Sequence, residues 1–390
     1  MSKRVLVAMS GGVDSSVAAL LLKQQGYDVV GAHMRIWYRE EDEELHEQNV
    51  KGCCSLAAAH DAQRVADKLN FPYYVLNFKQ SFYEYVVKDF IHEYLNGRTP
   101  NPCIACNRFI KWEQFLQKAL ALECDYIATG HYSRIIYDSD CSRYLLYKGK
   151  DESKDQSYML SQLTQEQLAR TIFPLGDYQK DRIRKIAEEN DLIVADKPDS
   201  QEICFVPNNN YGEFLSSIVP EHINPGPIVD IEGNKLGEHK GIAFYTIGQR
   251  RGLGISLGKP VYVIDIDTDS NAIIVGDKEL LYSEGLIAED VNLIAWNSLH
   301  KTVDIECKIR YNFQNVPAKL YPYPYQDINL YQGQDQDQNQ NQDQNQNQDK
   351  LLVKFKQPVS AVTPGQGVTF YQGDMVVGGG TISQALKKTQ

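Results

Sequence analysis

The chain opens on an apolar run, RVLVAM at residues 4–9, that passes directly into the loop Ala8-Met-Ser-Gly-Gly-Val-Asp-Ser-Ser16. Helical spacing follows over Val13–Gln25 and stops at Gly26. A short apolar run punctuated by glycine reads as a buried strand, so the opening is strand, tight loop, helix. The pattern recurs. Asp28–Met34 and Tyr73–Phe78 read as strands, Leu56–Leu69, Phe82–Leu95 and Ile110–Leu122 as helices, and Asp125–Ile136 as a further strand. Strands alternating with helices build a mostly parallel sheet with right-handed crossovers. Ligands of such sheets sit at the carboxyl ends of the strands, where Ser10–Ser15, Met34 and Gly130–His131 fall.

The pattern changes after Pro207. Gly and Pro then punctuate short segments, and Val261–Ile266 with Ala272–Gly276 reads as a hairpin. From Leu286 onward, Val303–Tyr311, Leu351–Phe355 and Val368–Val377 alternate as barrel strands do, with Gly373-Asp374 as a turn. The expected fold is a Rossmann-like α/β domain over residues 1–207, a small β-rich domain over 208–285 and a C-terminal β-barrel over 286–390. Gln332–Asp349 is a Gln/Asn/Asp repeat with too little apolar surface to offset its ordering entropy, and is expected to be a disordered loop between barrel strands.

Composition narrows the class. At 390 residues the chain is long for one domain. No signal-like cleavage pattern follows the first apolar run, and the longest apolar run, Val17–Leu22, is too short to cross a bilayer, so a cytoplasmic protein with no membrane partner is expected. Its 8 cysteines make no disulfide scaffold. The net charge of −11 argues mildly against a nucleic-acid partner, but much of the acid lies in Glu40–Glu47 and in 332–350. Basic clusters remain at Arg98/Arg108/Lys111, Lys180–Lys185, Arg250–Arg251 and Lys308–Arg310, each readable singly as a solvated face.

The first loop carries chemistry. It is not a Walker loop, which needs Lys-Ser/Thr after its last glycine. Gly11 and Gly12 let backbone N–H groups approach phosphate oxygens, and the helix beginning at Val13 adds the positive end of its dipole. Ser10, Ser15 and Ser16 supply hydroxyls, and Asp14 is placed to hold Mg²⁺. The plain alternative is a glycine turn with an Asp/Ser N-cap.

Two cysteine sites stand out. Gly97-Arg-Thr-Pro-Asn-Pro-Cys-Ile-Ala-Cys-Asn107 sets Cys103 and Cys106 in a proline-rich loop before the helix expected at Ile110, where a thiolate would be reactive. Cys204 lies in Asp199-Ser-Gln-Glu-Ile-Cys-Phe-Val-Pro207. A CxxC alone is equally a metal half-site or a redox pair. Cys124, Cys141 and Cys307 read as packing residues.

Together these motifs resemble one family. AMSGGVDSS at 8–16 resembles the PP-loop ATP pyrophosphatases, which split ATP between its α and β phosphates and adenylate a substrate. With GCCS at 52–55, GRTPNPCIACN at 97–107, ATGHY at 128–132, KDQSYML at 154–160, DSQEICF at 199–205, YTIGQRRGLG at 245–254, and IRY and TPGQ near the end, the order is similar to the tRNA-specific 2-thiouridylases across nearly the whole chain. The resemblance implies a PP-loop first domain, ATP and Mg²⁺ as cofactors, and tRNA and a sulfur-relay protein as partners. It implies ATP binding by Ala8, Met9, Ser10, Gly11, Gly12, Val13, Asp14 and Ser15, with Met34 and Gly130 near the adenosine. Cys204 would carry a persulfide and Cys106 would be the partner thiol, forming a transient disulfide with it or helping to release the sulfur. Asn101, Pro102 and Cys103 would face the target wobble uridine, adenylated on O2. His131, Lys154, Asp155, Gln156, Arg310, Tyr311 and Gln366 would touch the tRNA, where phosphate contacts set position rather than sequence.

One residue departs from the pattern. Some family members carry Asp where this chain has Cys103, and Cys103, Cys106 and Cys204 are also a set that can ligate an iron–sulfur cluster with an open iron. Cys53-Cys54 matches the family but carries no evident chemistry, and reads as packing. Two other functions account for parts of the chain. A PP-loop ligase acting on a small molecule needs no TPNPxxxCN loop, remote cysteine or barrel. A redox or metal-binding RNA chaperone needs no SGGVDSS loop.

Overall fold

The structure is a computed structural model that describes residues 2–37, 56–199, 203–207, 210–324 and 349–387. Cys53-Cys54 and the expected disordered loop up to residue 348 lie outside them. The chain divides into two compact units. One comprises Met1–Lys88, Pro102–Asn209 and Asp374–Val376; the other comprises Asp89–Asn101, Asn210–Gly373 and Val377–Gln390.

The first unit is built on a five-stranded, all-parallel sheet: β1 (Arg4–Ala8), β2 (Asp28–Arg35), β3 (Tyr73–Asn77), β4 (Tyr126–Ala128) and, after a separate hairpin, a two-residue strand at Thr171–Ile172. In space the order is β3-β2-β1-β4 and then Thr171–Ile172. β1 is central, and Val5, Leu6 and Val7 are fully buried, which is why this strand reads as a continuous apolar run rather than an alternating one. Helix α1 (Val13–Gln24) is apolar on almost every side, and Val17, Ala18, Ala19 and Leu22 are wholly buried. The chain leaves β1 towards β2 on one side, while β4 flanks β1 on the other. The carboxyl ends of β1 and β4 therefore bracket a topological switch point, the place where open α/β sheets bind ligands.

Two expected boundaries move. The strand expected over Asp125–Ile136 is two elements, β4 and β5 (Ser133–Asp138), parted by Thr129–Tyr132. β5 leaves the parallel sheet and pairs antiparallel with β6 (Arg143–Lys148). A Cβ on Gly130 would lie 2.9 Å from Asp14 C and Ser15 N, so the break carries the backbone against the start of α1, where only glycine fits. The helix expected from Ile110 begins at Pro102 and continues as Pro102–Ala105, the π-helix Cys106–Gln114 and Phe115–Ala121. Proline with its fixed φ suits a first helical turn, so the Pro-rich segment opens the helix instead of preceding it.

The second unit holds two β structures. A four-stranded sheet has the order β10 (Tyr262–Asp267), β11 (Ala272–Gly276), β8 (Gly226–Val229), β9 (Lys235–His239), counting Thr171–Ile172 as β7. The β10–β11 hairpin is the expected one, and Ile228, Val263, Ile273 and Val275 pack its core. A six-stranded barrel follows: β12 (Tyr282–Leu293), β13 (Val303–Lys308), β14 (Val316–Pro322), β15 (Lys350–Ser360), β16 (Gly367–Gln372) and β17 (Met375–Leu386). Its order is β12-β15-β14-β13-β16-β17, and antiparallel pairing of β17 with β12 closes it and removes the free edges. Thus the α/β domain, the small β-rich domain and the C-terminal barrel are all present. No described helix is long and apolar enough to cross a membrane.

Candidate functional site

The loop after β1 is shaped by its glycines. Gly11 has φ +72°, and a Cβ there would lie 2.1 Å from the Ala58 carbonyl oxygen of helix α2 (Leu56–Leu69). Gly12 is the N-cap of α1, extended, with no side-chain hydrogen bond capping it. The Asp/Ser cap open as an alternative in the sequence is therefore not made at this terminus, and the positive end of a 12-residue helix faces the switch point. Ser10 N donates to Ser15 Oγ at 3.2 Å, and Ser15 and Ser16 hydroxyls both donate to Gly12 O, at 3.2 and 2.9 Å. The serines brace the loop on itself. Ala8, Met9 and Val13 are all buried, which leaves them their backbone to offer. Met34 is half-buried near the carboxyl end of β2.

Behind the loop lies a charge network that sequence reasoning largely missed. Lys180 Nζ donates to both oxygens of Asp14 at 2.7 Å and pairs with Asp199 at 2.8 Å. Asp199 also accepts from Lys154 at 2.8 Å and from Arg184 at 3.0 Å. Tyr132, 2% exposed, donates its hydroxyl to Asp14 at 2.7 Å. Lys197 reaches the Gly11 carbonyl at 3.0 Å and pairs with Asp61. Burial opposes the charge on Asp199, yet hydrogen bonds from Lys154 and Lys180 outweigh it and hold the carboxyl down to about 2. Burial first, and then the neighbouring Asp14, push the Tyr132 hydroxyl far up, so it remains a donor.

Lys180 starts helix α3 (Lys180–Glu189), and its side chain is 8% exposed. The expected solvated basic face at Lys180–Lys185 is thus split: Lys185 is exposed, and Lys180 points inward with Ile183 and Ala187. That phase, i, i+3 and i+7, was the available signal. Asp151 Oδ2 accepts from Lys180 N at 2.9 Å and anchors the turn.

A line of hydrogen bonds joins this network to the thiol helix. Asn107, 3% exposed, donates to Met159 O at 2.9 Å; Met159 N donates to Gln156 O at 3.0 Å. Gln156 exchanges two bonds of 3.1 Å with the Tyr132 backbone, and Tyr132 holds Asp14. Four separated motifs, SGGVDSS, CIACN, ATGHY and KDQSYML, therefore share one framework. Within it Lys154, Asp155 and Gln156 have internal roles. Asp155 is 8% exposed and accepts from Gly149 N and from Ser157 N and Oγ. His131 accepts from or donates to Thr129 Oγ1 at 2.7 Å and packs between Trp112 and Phe173. Its burial, with Lys111 nearby, drops its pKa well below 6.5, so the ring is neutral at neutral pH.

The Cys103 and Cys204 side chains are exposed and that of Cys106 is half-buried. Cys204 is carried by Phe205, 3% exposed, whose ring lies 5.5 Å from Phe82 and 6.0 Å from Trp37. The phenylalanine anchors, and the cysteine beside it faces solvent. Among the described residues, no three His, Cys, Asp or Glu side chains are grouped to hold a metal, so the three thiols do not form a cluster ligand set here. A nucleotide-bound Mg²⁺ asks less, one or two carboxylates plus phosphates, and Asp14 fits that need except that Lys180 occupies both of its oxygens.

In the second unit the Gly97–Asn101 segment is clamped. Arg98 bridges Glu93 at 2.7 Å and Glu289 at 2.9 Å, and Thr99 N donates to Pro364 O at 2.9 Å. Gln366 Nε2 donates to Thr99 O at 2.8 Å and Pro100 O at 3.2 Å. A Cβ on Gly365 would lie 2.9 Å from Thr99 N. TPGQ thus grips GRTPN, ahead of the half-buried Asn101 and of Pro102, which is buried at the head of the thiol helix. Arg310 lies against Ser360 O and the Phe313 ring, and Lys308 sits 5.5 Å over Tyr311 just past β13.

Three family models match the chain: "tRNA methyl transferase HUP domain" over residues 3–208, "tRNA methyl transferase PRC-barrel domain" over 212–277 and "Aminomethyltransferase beta-barrel domain" over 331–382. Full-length relatives carry another name. A tRNA-specific 2-thiouridylase MnmA of Natranaerobius thermophilus is 73% identical over 388 residues, covering 100% of this chain and 99% of that one. Proteins of the same name from Desulforamulus reducens and Carboxydothermus hydrogenoformans are 50% and 48% identical, over 100% and 98% of this chain and 99% and 98% of theirs.

Proposed function

The chain belongs to the tRNA-specific 2-thiouridylases, and from that premise we propose that it is a tRNA sulfurtransferase that activates the wobble uridine with ATP and thiolates it from a cysteine persulfide. The observation that carries the ATP step is the uncapped start of α1 behind Gly11-Gly12, at the switch point of the sheet. Triphosphate oxygens would meet backbone N–H groups of Gly11–Ser15 there, with Met34 and Gly130 towards the adenosine. Asp14 would hold the Mg²⁺ that accompanies ATP and neutralises phosphate charge. O2 of the uridine attacks the α-phosphorus, the bond to the β-phosphate oxygen breaks, and pyrophosphate leaves.

Sulfur transfer follows from the two thiol sites. A relay protein loads Cys204, exposed beside its anchored Phe205, with a terminal sulfur. That sulfur attacks C2 of the adenylated base, and AMP departs with O2. Cys106 then attacks Cys204 Sγ; the persulfide S–S bond breaks, the outer sulfur stays on the base and a Cys106–Cys204 disulfide forms, to be reduced by external thiol. Cys103 and Asn101–Pro102 would face the base, and His131, Arg310, Tyr311 and Gln366 would each touch the tRNA. Lys154, Asp155 and Gln156 would touch the tRNA from a segment whose Gln156 binds the Tyr132 backbone and whose Lys154 binds Asp199. Methyl transfer, the word in two domain descriptions, gives the persulfide pair no work.

Pyrophosphate release and thiouridine formation, measured separately on tRNA, test this reading. Cys204→Ser and Cys106→Ser should keep tRNA-dependent pyrophosphate release and lose thiolation. Cys103→Ala should retain thiolation within about tenfold, or ~1.4 kcal/mol in transition-state stabilisation. Thiolation surviving in Cys204→Ser would refute the persulfide route. Iron and acid-labile sulfide in anaerobically prepared protein, lost with activity in Cys103→Ala, would replace it with cluster chemistry.

A further inference from the structure

Lys180 lies in a place where charge must be matched: its side chain is 8% exposed and sits between two carboxylates. The two carboxylates do not need it equally. Asp199 has Lys154 and Arg184 as further partners at 2.8 and 3.0 Å. Asp14 has Lys180 on both oxygens, and its other donor is the neutral Tyr132 hydroxyl. Counting the cluster as Asp14, Asp151 and Asp199 against Lys154, Lys180 and Arg184 gives three negative charges and three positive. The cluster is balanced. A cation that displaced Lys180 from Asp14 would leave the ammonium beside an aspartate already paired twice, at the base of an uncapped helix terminus.

We propose that Lys180 is a ligand of the nucleotide phosphates that, in the nucleotide-free protein, occupies the metal position on Asp14. Arrival of the metal–nucleotide complex exchanges two ion pairs. The divalent cation takes the Asp14 carboxylate, and the ammonium, still protonated, moves from carboxylate to phosphate oxygen. No charge is left unmatched at either end, which is the condition for such an exchange to be inexpensive in a partly buried site. The arrangement also keeps free divalent metal out until phosphate is there to receive the lysine. Lys180 sits over the Tyr132 ring at 5.9 Å, so the tyrosine marks its path with an electron-rich face. The proposal rests on the ATP reading above and adds to it a residue from outside the glycine loop.

The test uses full-length protein and two titrations, Mn²⁺ alone followed by electron paramagnetic resonance of free Mn²⁺, and Mg·ATP followed by calorimetry. Wild type should bind Mg·ATP and take up Mn²⁺ poorly without nucleotide. In Lys180→Gln, Mn²⁺ alone should bind about tenfold more tightly and Mg·ATP about tenfold more weakly, the scale of one charge-assisted contact. A variant that folds but matches wild type in both titrations overturns the proposal and leaves Lys180 as a cross-link between Asp14 and Asp199. Wild type that binds no ATP overturns the nucleotide reading itself, and the proposal with it. If Lys180→Gln does not melt cooperatively, Lys180→Arg carries the test. A guanidinium fork is not a substitute for a compact ammonium that must move; metal exclusion should persist while Mg·ATP affinity falls at least about threefold, and unchanged affinity would overturn the proposal.

Discussion

At the scale of the residue, Asp199 shows how a network can hold charge in a half-buried place. Its carboxyl is held from 3.8 to about 2, against burial, by Lys154 and Lys180. A group whose pKa is lower folded than unfolded stabilises the fold above the unfolded value and loses that contribution as pH falls through the folded one. The window runs from about pH 4 down to about pH 2. Asp199→Asn should therefore lower stability at neutral pH and flatten the acid limb across that window. Urea midpoints taken at several pH values between 2 and 5 would read both. Parallel acid limbs for variant and wild type would show that Asp199 titrates alike in both states. In the sequence Asp199 was visible only as the first letter of the DSQEICF motif, because its three partners lie 15 to 45 positions away.

At the scale of the element, the Gly97–Asn101 segment has no regular secondary structure and takes its shape from the barrel. Gln366 supplies two of its hydrogen bonds, and the Gln366 carbonyl independently accepts from Ile382 N at 2.8 Å. Gln366→Ala should leave barrel pairing intact and cost about 1–2 kcal/mol, the net worth of two neutral hydrogen bonds. Thiolation should fall about tenfold with ATP affinity unchanged, because on the proposed reading Asn101 at the end of this segment faces the base, and a misplaced loop costs positioning. Unaltered thiolation would mean that the segment needs no bracing from TPGQ. The helix beginning at Pro102 makes a related point. Proline and asparagine at 100–102 read as loop chemistry, yet Pro102 is a good first helical residue and the buried Asn107, Ile110 and Trp112 extend the helix behind it. Local signals of turn and of helix start use the same residues, and packing decides between them.

At the scale of the whole molecule, β14 and β15 are antiparallel neighbours, with Pro322 opposite Leu351. The barrel thus holds Pro322 and Leu351 close, whatever the length of chain between them. Removing Gln334–Asn347 and closing with a short Gly/Ser turn changes loop-closure entropy by less than about 1 kcal/mol. The melting temperature should move by no more than a few degrees and thiolation should persist. A large loss of tRNA affinity on deletion would give the tract a part in binding.

The sequence alone determined the alternating strand–helix frame, the glycine loop at the end of β1 and some of the barrel strands, because each is written in a local period or a short-range backbone requirement. Burial on both faces makes β1 an apolar run and φ +72° makes Gly11 a glycine, whereas β12 and β17, the strands that close the barrel, do not alternate in burial. Only the tertiary structure decided that Lys180 turns inward onto Asp14, that Gly130 ends β4 in order to touch α1, and that Gln366 grips Thr99. Charge pairing and close backbone approach depend on distance in space, and these partners stand 166, 116 and 267 positions apart along the chain. No local period can carry that information, since it appears only when parallel crossovers and barrel closure bring the segments together.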